Sequence, residues 1–446
     1  MVSPELYYDG SRGATGRSSL PRSSIKATFC AYDWPNNVCG PATWLSQLLP
    51  RLKDHNIEPR CLVMCWEAPG PLLAELRDAG IECKDVVCAG DAESRIRWIL
   101  HNLREAPTDV FIPNLVVPAM HAAHWVGAAG IPTIGVLHSD DKFYRAVANT
   151  FASGDKWHTL SDIVCVSREI EKQVAALNLP HTRSHRIPYG VDIPAATAVR
   201  QPDILRVAYV GRLAEEQKRI SEVTRAFLRV TQNVPGTTAA IYGDGPDRLN
   251  VENILNQNRH HLPVKLIGRI PAAEIQSHLL QTDVIALLSD YEGLPIAILE
   301  AMACGVVPVC LKMRSGIPEL VEHGVTGLVV NDRGDDFTAA VRRLKEDPEL
   351  WQRLSANARQ RVKNENSVAA NTEQWATLLK SVSNSSLKRT PLYWPSELEL
   401  PPVHPDLAAE DPRPEIPGLS TRIYRNSRTL LSHLKRRLGS SSPPAN

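Results

Sequence analysis

The stretch Val284-Ile-Ala-Leu-Leu-Ser-Asp-Tyr-Glu-Gly-Leu-Pro-Ile-Ala-Ile-Leu-Glu-Ala-Met-Ala-Cys-Gly305 is where the architecture is easiest to read. Its first part, Val284–Ser289, is a short non-alternating apolar run, the pattern of a strand covered on both faces. Pro295 suits a first helical position, where its missing N–H costs nothing, and Gly305 suits the left-handed residue just past a helix end. The helix between them is apolar all round except at Glu300, so it is expected to be buried. A covered strand, a tight loop and a buried helix form the unit of an open α/β sheet, whose ligands bind beyond the carboxyl ends of the strands.

Two carboxylates in this unit carry chemistry. Glu300, on an otherwise apolar helix, needs hydrogen bonds or a cation that the helix does not supply; a structural Arg or Lys is the competing reading. Glu292 lies in the loop before the helix, where free N–H groups and the positive helix end favour an anion. The pair suits two separate hydroxyl-bearing parts of one ligand, with phosphate at the helix end.

Upstream, Val210-Gly-Arg-Leu213 closes another apolar run and leads to Lys218-Arg219. Gly211 ends a strand where the backbone must approach something closely. Arg212 offers a fork suited to phosphate oxygens and Lys218 a mobile point charge. Their place at a strand's carboxyl end favours diphosphate binding over solvated surface.

Further outward the alternation continues both ways. A first series has strand-like runs at Ala27–Tyr32, Cys61–Trp66, Cys83–Cys88, Val110–Leu115, Thr133–His138, Ile163–Ser167 and Arg186–Tyr189, with helical patterns between them. A second has Arg206–Gly211, Ala239–Gly243, Val264–Gly268, Val284–Ser289, Val306–Cys310 and Gly327–Val330. This predicts an α/β protein of two doubly wound, Rossmann-like parallel sheets facing a cleft, a usual place for a substrate. The expected division is 1–24 disordered, 25–195 first domain, 203–366 second domain, 367–384 crossover helix, and 385–446 proline-rich linker and basic tail. Eight prolines between Pro391 and Pro417 mark the linker.

Composition narrows the classes. The chain has 446 residues, 50 Lys+Arg against 49 Asp+Glu and a formal charge of +1, which argues against a nucleic-acid binder. No apolar run approaches the ~18 residues of a membrane span, and the first residues lack the apolar centre of a secretory signal. Nine scattered cysteines without a C-x-x-C read as reduced thiols of a cytoplasmic protein, with neither a disulfide framework nor a zinc site.

The second domain resembles the donor-binding half of a GT-B glycosyltransferase of the retaining glycosyltransferase family 4. The matching pieces are Gly211-Arg-Leu…Lys218, Tyr242-Gly-Asp-Gly-Pro246, Gly268-Arg269, Glu292-Gly-Leu-Pro…Glu300-Ala-Met-Ala-Cys-Gly305, Pro318-Glu-Leu and Gly324-Val-Thr-Gly327. The resemblance covers about Ile25 to Val382. It implies that Arg212 and Lys218 hold the donor diphosphate, Glu292 contacts the transferred sugar and Glu300 takes the ribose hydroxyls. Gly243, Gly268, Gly293 and Leu294 belong to the same donor-binding set.

In the first domain His138 matches the family's active-site histidine beside the sugar. Asn37-Val-Cys-Gly40 matches the glycine-rich loop facing the phosphates, with Cys39 where the family usually has glycine. Tyr189-Gly-Val-Asp192 matches an Asn-Gly-Val-Asp segment. The implied reaction moves a sugar from a nucleotide-diphosphate sugar to a hydroxyl of a carbohydrate or lipid-linked acceptor, with retention, by front-face attack, and with neither metal nor further cofactor. An inert sugar-nucleotide sensor and a sugar phosphorylase or hydrolase on the same fold are the alternatives. Thr421–Leu438, with six basic residues and no acid, reads either as a solvated tail or as a peripheral contact with an anionic membrane at the inner face.

Overall fold

A computed structural model describes residues 24–413 except 38, 89, 155–157, 258–262 and 385–387. All of the expected disordered start, 1–24, except Ser24 lies outside the described residues, as does the basic tail Thr421–Leu438. Two parallel sheets are present. The first contains β1 (Ile25–Asp33), β2 (Ile57–Cys65), β3 (Glu82–Val87), β4 (Val110–Asn114), β5 (Thr133–Leu137), β6 (Asp162–Cys165) and β7 (Arg183–Arg186). The second contains β8 (Leu205–Val210), β9 (Thr237–Tyr242), β10 (Val264–Gly268), β11 (Val284–Leu287), β12 (Val307–Leu311) and β13 (Leu328–Val330). The orders are β3-β2-β1-β4-β5-β6-β7 and β10-β9-β8-β11-β12-β13, so each sheet reverses direction once, at β1/β4 and at β8/β11. Ligand crevices of open sheets form beyond the strand ends at that reversal.

Most strands fall where apolar runs were read, because central parallel strands are buried on both faces: β4, β5, β11 and β12 are buried throughout. The exception is β7. It was expected at Arg186–Tyr189 but occupies Arg183–Arg186, a polar edge strand. Its Arg183 and His185 both bond the buried Asp162 of β6, at 2.9 and 2.7 Å, while apolar Ile187 and Tyr189 are buried in the link that follows. Pro295 also differs from expectation by one place. It caps the helix Ile296–Ala303 from outside, while Gly305 takes the left-handed conformation (φ 78°).

The links between domains run side by side. Val191 N–H donates to the Asn366 carbonyl and Val368 N–H to the Val191 carbonyl, both at 2.9 Å. The side-chain amides of Asn366 and Asn371 donate to Tyr189 and Pro188 carbonyls. From there the helix Val368–Ser383 packs on the first domain, where Trp375 is buried 5.3 Å from Trp44 and 6.4 Å from Phe29.

Over 388–413 the expected linker is extended yet packed on the first domain. Thr390 N–H donates to the Ala129 carbonyl, Arg97 donates to the carbonyls of Pro395 and Ser396, and Trp394 lies under the guanidiniums of Arg97 and Arg104. Leu407 and Asp411 are buried. Among the described residues no helix is long and apolar enough to cross a membrane, and all nine cysteines are unpaired.

Candidate active site

Between the sheets lies a cleft of about 1090 Å³, lined from both domains. Its second-domain wall is built by the ends of β8 and β11. Beyond β8 the chain turns at Gly211 and runs through Arg212 to a short helix, Glu215–Lys218. Gly243 at the end of β9 makes that turn possible, since a Cβ there would sit 1.8 Å from the Gly211 carbonyl oxygen. Beyond β11, the loop through Glu292 leads to the helix Ile296–Ala303, whose N-terminus has no side-chain cap.

Lys218 Nζ meets Glu292 Oε1 at 2.6 Å, with both side chains largely buried, and Gln217 donates to the Tyr291 carbonyl. Arg212 is exposed on the same wall and makes no ion pair among the described residues. The basic pair and the loop carboxylate, 74 residues apart, thus converge as read. Lys218 neutralises Glu292 while Arg212 is left available to an anion.

Glu300 points into the same cleft, partly buried and with no hydrogen-bond or ion-pair partner among the described residues. Burial, with a smaller push from the charge of Asp192, raises its carboxyl to about 7. The structural Arg or Lys that would have explained it is absent among the described residues, so hydroxyl donors of a ligand are the partners left.

The first-domain wall comes from the ends of β1, β4 and β5. His138, directly after β5, is buried. Its Nε2 lies 2.6 Å from Asn114 Oδ1, and its Nδ1 is bonded to the Tyr189 hydroxyl. Because the Asn114 amide nitrogen already donates to the Cys30 carbonyl, Oδ1 faces the ring and Nε2 carries the proton. Nδ1 then accepts from tyrosine. Burial lowers the ring's pKa to about 3, so it is neutral. Asn114 holds this geometry in a left-handed conformation, φ 58°, a strain typical of functional sites.

The domains touch here: a Cβ on Gly293 would lie 2.0 Å from the His138 carbonyl oxygen. Leu294 lines the cleft beside it, and Gly40, at the uncapped start of the helix Gly40–Leu52, faces the Ile296 side chain. Cys39 caps that helix only through its backbone, and burial raises its thiol to about 11.

The structure brings His138, Gly40, Arg212, Lys218, Glu292, Gly293, Leu294 and Glu300 to one cleft. It does not bring Gly243 or Gly268 to the lining. Gly243 follows the inner strand β9 and packs behind the Gly211 turn, and Gly268 ends the edge strand β10; both take a positive φ. Sequence reasoning missed Asn114, Tyr189, Gln217 and Arg269 as lining residues. Arg269 carried a signal, since it follows a glycine at a strand's carboxyl end. The described residues contain no cluster of three or more His, Cys, Asp or Glu that could hold a metal.

The family model described as "Glycosyl transferases group 1" matches residues 199–361. The chain is 27% identical over 277 residues to an alpha-D-kanosaminyltransferase of Streptomyces kanamyceticus, covering 57% of this chain and 71% of the relative. It is 31% identical over 258 residues to a GDP-mannose-dependent alpha-(1-6)-phosphatidylinositol monomannoside mannosyltransferase of Mycolicibacterium smegmatis, covering 50% and 67%. A putative colanic acid biosynthesis glycosyltransferase of Salmonella typhimurium and a glycogen synthase of Mycobacterium tuberculosis are matched over 50% and 37% of their length. Among solved structures, Anabaena HepE in complex with UDP superposes with a TM-score of 0.64 at 20% identity, over 80% of this chain and 100% of HepE. That likeness shows the GT-B arrangement of the two sheets.

Proposed function

Because this chain belongs to the group 1 glycosyl transferases, we propose that it moves a sugar from a nucleotide-diphosphate sugar to an acceptor hydroxyl with retention at the anomeric carbon. The observation that carries the reading is the unpartnered Glu300 in the same cleft as Arg212 and the Lys218–Glu292 pair. The diphosphate lies against Arg212, Lys218 and the uncapped helix start, the ribose hydroxyls donate to Glu300, and the transferred sugar sits near Glu292 and His138. HepE in its complex with UDP, and the mannosyltransferase by its name, support a nucleoside-diphosphate ligand.

The acceptor oxygen bonds the anomeric carbon on the face from which the phosphate oxygen departs, and the acceptor's proton passes to that leaving oxygen. Glu292, paired with Lys218, is not a free nucleophile. His138 is not the base, since both ring nitrogens are engaged and burial disfavours the protonated ring; it closes the wall beside the sugar. Catalysis then rests on cations already aimed at the leaving group. The test is release of UDP or GDP from UDP-glucose, UDP-N-acetylglucosamine and GDP-mannose with a panel of glycosides, followed by proton NMR of the early product. We expect an α-linked product from an α-linked donor; a β-linked first product contradicts retention.

A lipid-linked acceptor fits Thr421–Leu438 as a membrane contact of a cytoplasmic enzyme. Full-length chain is expected to co-sediment with anionic liposomes, and a chain ending at residue 420 is not. Equal sedimentation of the two rejects the contact.

A further inference from the structure

The packed segment 388–413 reaches the cleft at Glu410. Asp411 is its anchor: buried, 3.1 Å from His121 Nε2 and held by two 2.7 Å bonds from Arg413. Burial pushes the carboxyl of Asp411 upward, but the bonds from His121 and Arg413 outweigh it and hold the group at about 2. The Pro412 carbonyl accepts from Ala92 N–H at 2.8 Å. With the two residues after it fixed, Glu410 is set as a wall residue of the cleft, which Tyr32, Trp34 and Trp66 also line.

What surrounds Glu410 is unfinished. The Tyr32 hydroxyl lies beside its carboxyl, and Arg95 sits 4.9 Å over the Trp66 ring. Tyr32 and Arg95 are each 7% exposed. Yet Tyr32 Oη, Glu410 Oε2 and the Arg95 Nε and Nη1 atoms are buried without a well-aligned hydrogen-bond partner. Tyr32 and Glu410 meet each other there, and Arg95 stands over the Trp66 ring outside the cleft lining. Buried polar atoms are seldom left with so few partners, and the Glu410 carboxyl, which is on the lining, can take a hydroxyl donor from a ligand. Two indoles border the same corner, Trp66 5.4 Å from the Tyr32 ring, and Trp34 and Trp66 continue into an adjoining 420 Å³ hollow. Flat apolar faces beside a few convergent polar atoms suit a molecule with an apolar face and a rim of hydroxyls. A pyranose ring is such a molecule.

We infer that Tyr32, Trp34, Trp66 and Glu410 form the subsite for an acceptor pyranoside, and that the C-terminal segment therefore completes the active cleft. Acceptor hydroxyls donate to Glu410, and the ring lies against the indoles. The inference rests on the glycosyltransferase reading above, because only then does this end of the cleft face an incoming hydroxyl. Glu410 is a specificity-determining residue here, separated from the donor-binding cations by its place on the first domain.

The experiment uses the full chain, as wild type, Glu410→Ala and Glu410→Gln. Nucleotide affinity is measured by calorimetry with UDP and GDP, and acceptor kinetics with p-nitrophenyl glycosides and whichever donor the wild type consumes. The expected result is an acceptor KM raised about 10- to 100-fold in Glu410→Ala, the scale of one hydrogen bond to a charged group. Glu410→Gln, which keeps an accepting oxygen, shows a smaller rise, and nucleotide affinity stays within about twofold of wild type, far below the change expected from losing a direct contact. Unchanged acceptor KM in Glu410→Ala, or a wild type that binds nucleotide but responds to no glycoside, overturns the subsite. A wild type that binds neither UDP nor GDP overturns the donor reading instead, so the two failures are distinguishable.

Discussion

Lys218→Ala is expected to lower kcat by about 100- to 1000-fold, the usual cost of removing one preorganised group that stabilises charge on a leaving group. In the free protein Lys218 is held by Glu292 at 2.6 Å. The donor's phosphates would compete for it, which aims the ammonium before the substrate arrives. The same variant leaves the Glu292 carboxylate, itself 5% exposed, without its cation. A buried pair broken on one side costs about 3–5 kcal/mol. The cost here is set lower, at about 1–3 kcal/mol, because Gln217 still reaches Glu292.

Lys218→Ala/Glu292→Gln separates the two effects. It is expected to recover most of the melting temperature and none of the turnover, measured well below the transition. Turnover that returns together with stability would mean that Lys218 matters only to the fold.

Glu300→Gln is expected to make the free protein more stable and the nucleotide weaker. With its carboxyl raised to about 7 by burial, against about 4.5 in the unfolded chain, the folded state holds a proton that the unfolded state gives up. The favourable contribution is present below the unfolded value and is lost as pH rises towards 7 and beyond. At pH 8 the wild type therefore carries an unfavourable buried charge. Replacing it by an amide is expected to stabilise the free protein by about 1–2 kcal/mol, less than the full shift implies because the group is partly open to the cleft.

Ribose hydroxyls donating to the carboxylate favour its charged form, so nucleotide binding to wild type releases a proton near neutral pH. Calorimetry in buffers of different ionisation enthalpy reads that release. The affinity loss in Glu300→Gln is about 10- to 100-fold, and its dependence on pH between 5 and 8 flattens. Equal affinity for wild type and variant, with equal proton release, removes Glu300 from the ribose.

Both variants address residues that sequence alone made visible, for a physical reason. Glu292 and Glu300 lie on one strand–loop–helix unit, where an acid in an apolar helix is conspicuous. Arg212 and Lys218 lie on the equivalent unit of β8, which the sheet places beside β11. Asn114, Tyr189 and Glu410 could not be found that way. Each is one polar residue on a different segment, and only the packing of β4, the interdomain link and the C-terminal segment brings them to His138 and Tyr32. The proline-dense stretch looked like linker because its apolar residues follow no period. Leu407 instead joins the core cluster, and Leu392, Leu398 and Leu400 pack against it. β7 was misplaced for the converse reason: as an edge strand it is polar, and the apolar residues after it serve the domain link.

The claim on which the rest depends is that a nucleoside diphosphate lies between the two sheets. A crystal structure of the full chain with UDP or GDP, whichever raises its melting temperature, tests it most directly. The phosphates are expected on Arg212 and Lys218 and the ribose hydroxyls on Glu300. A nucleotide bound outside the cleft, or inside it with its phosphates away from both cations, contradicts it.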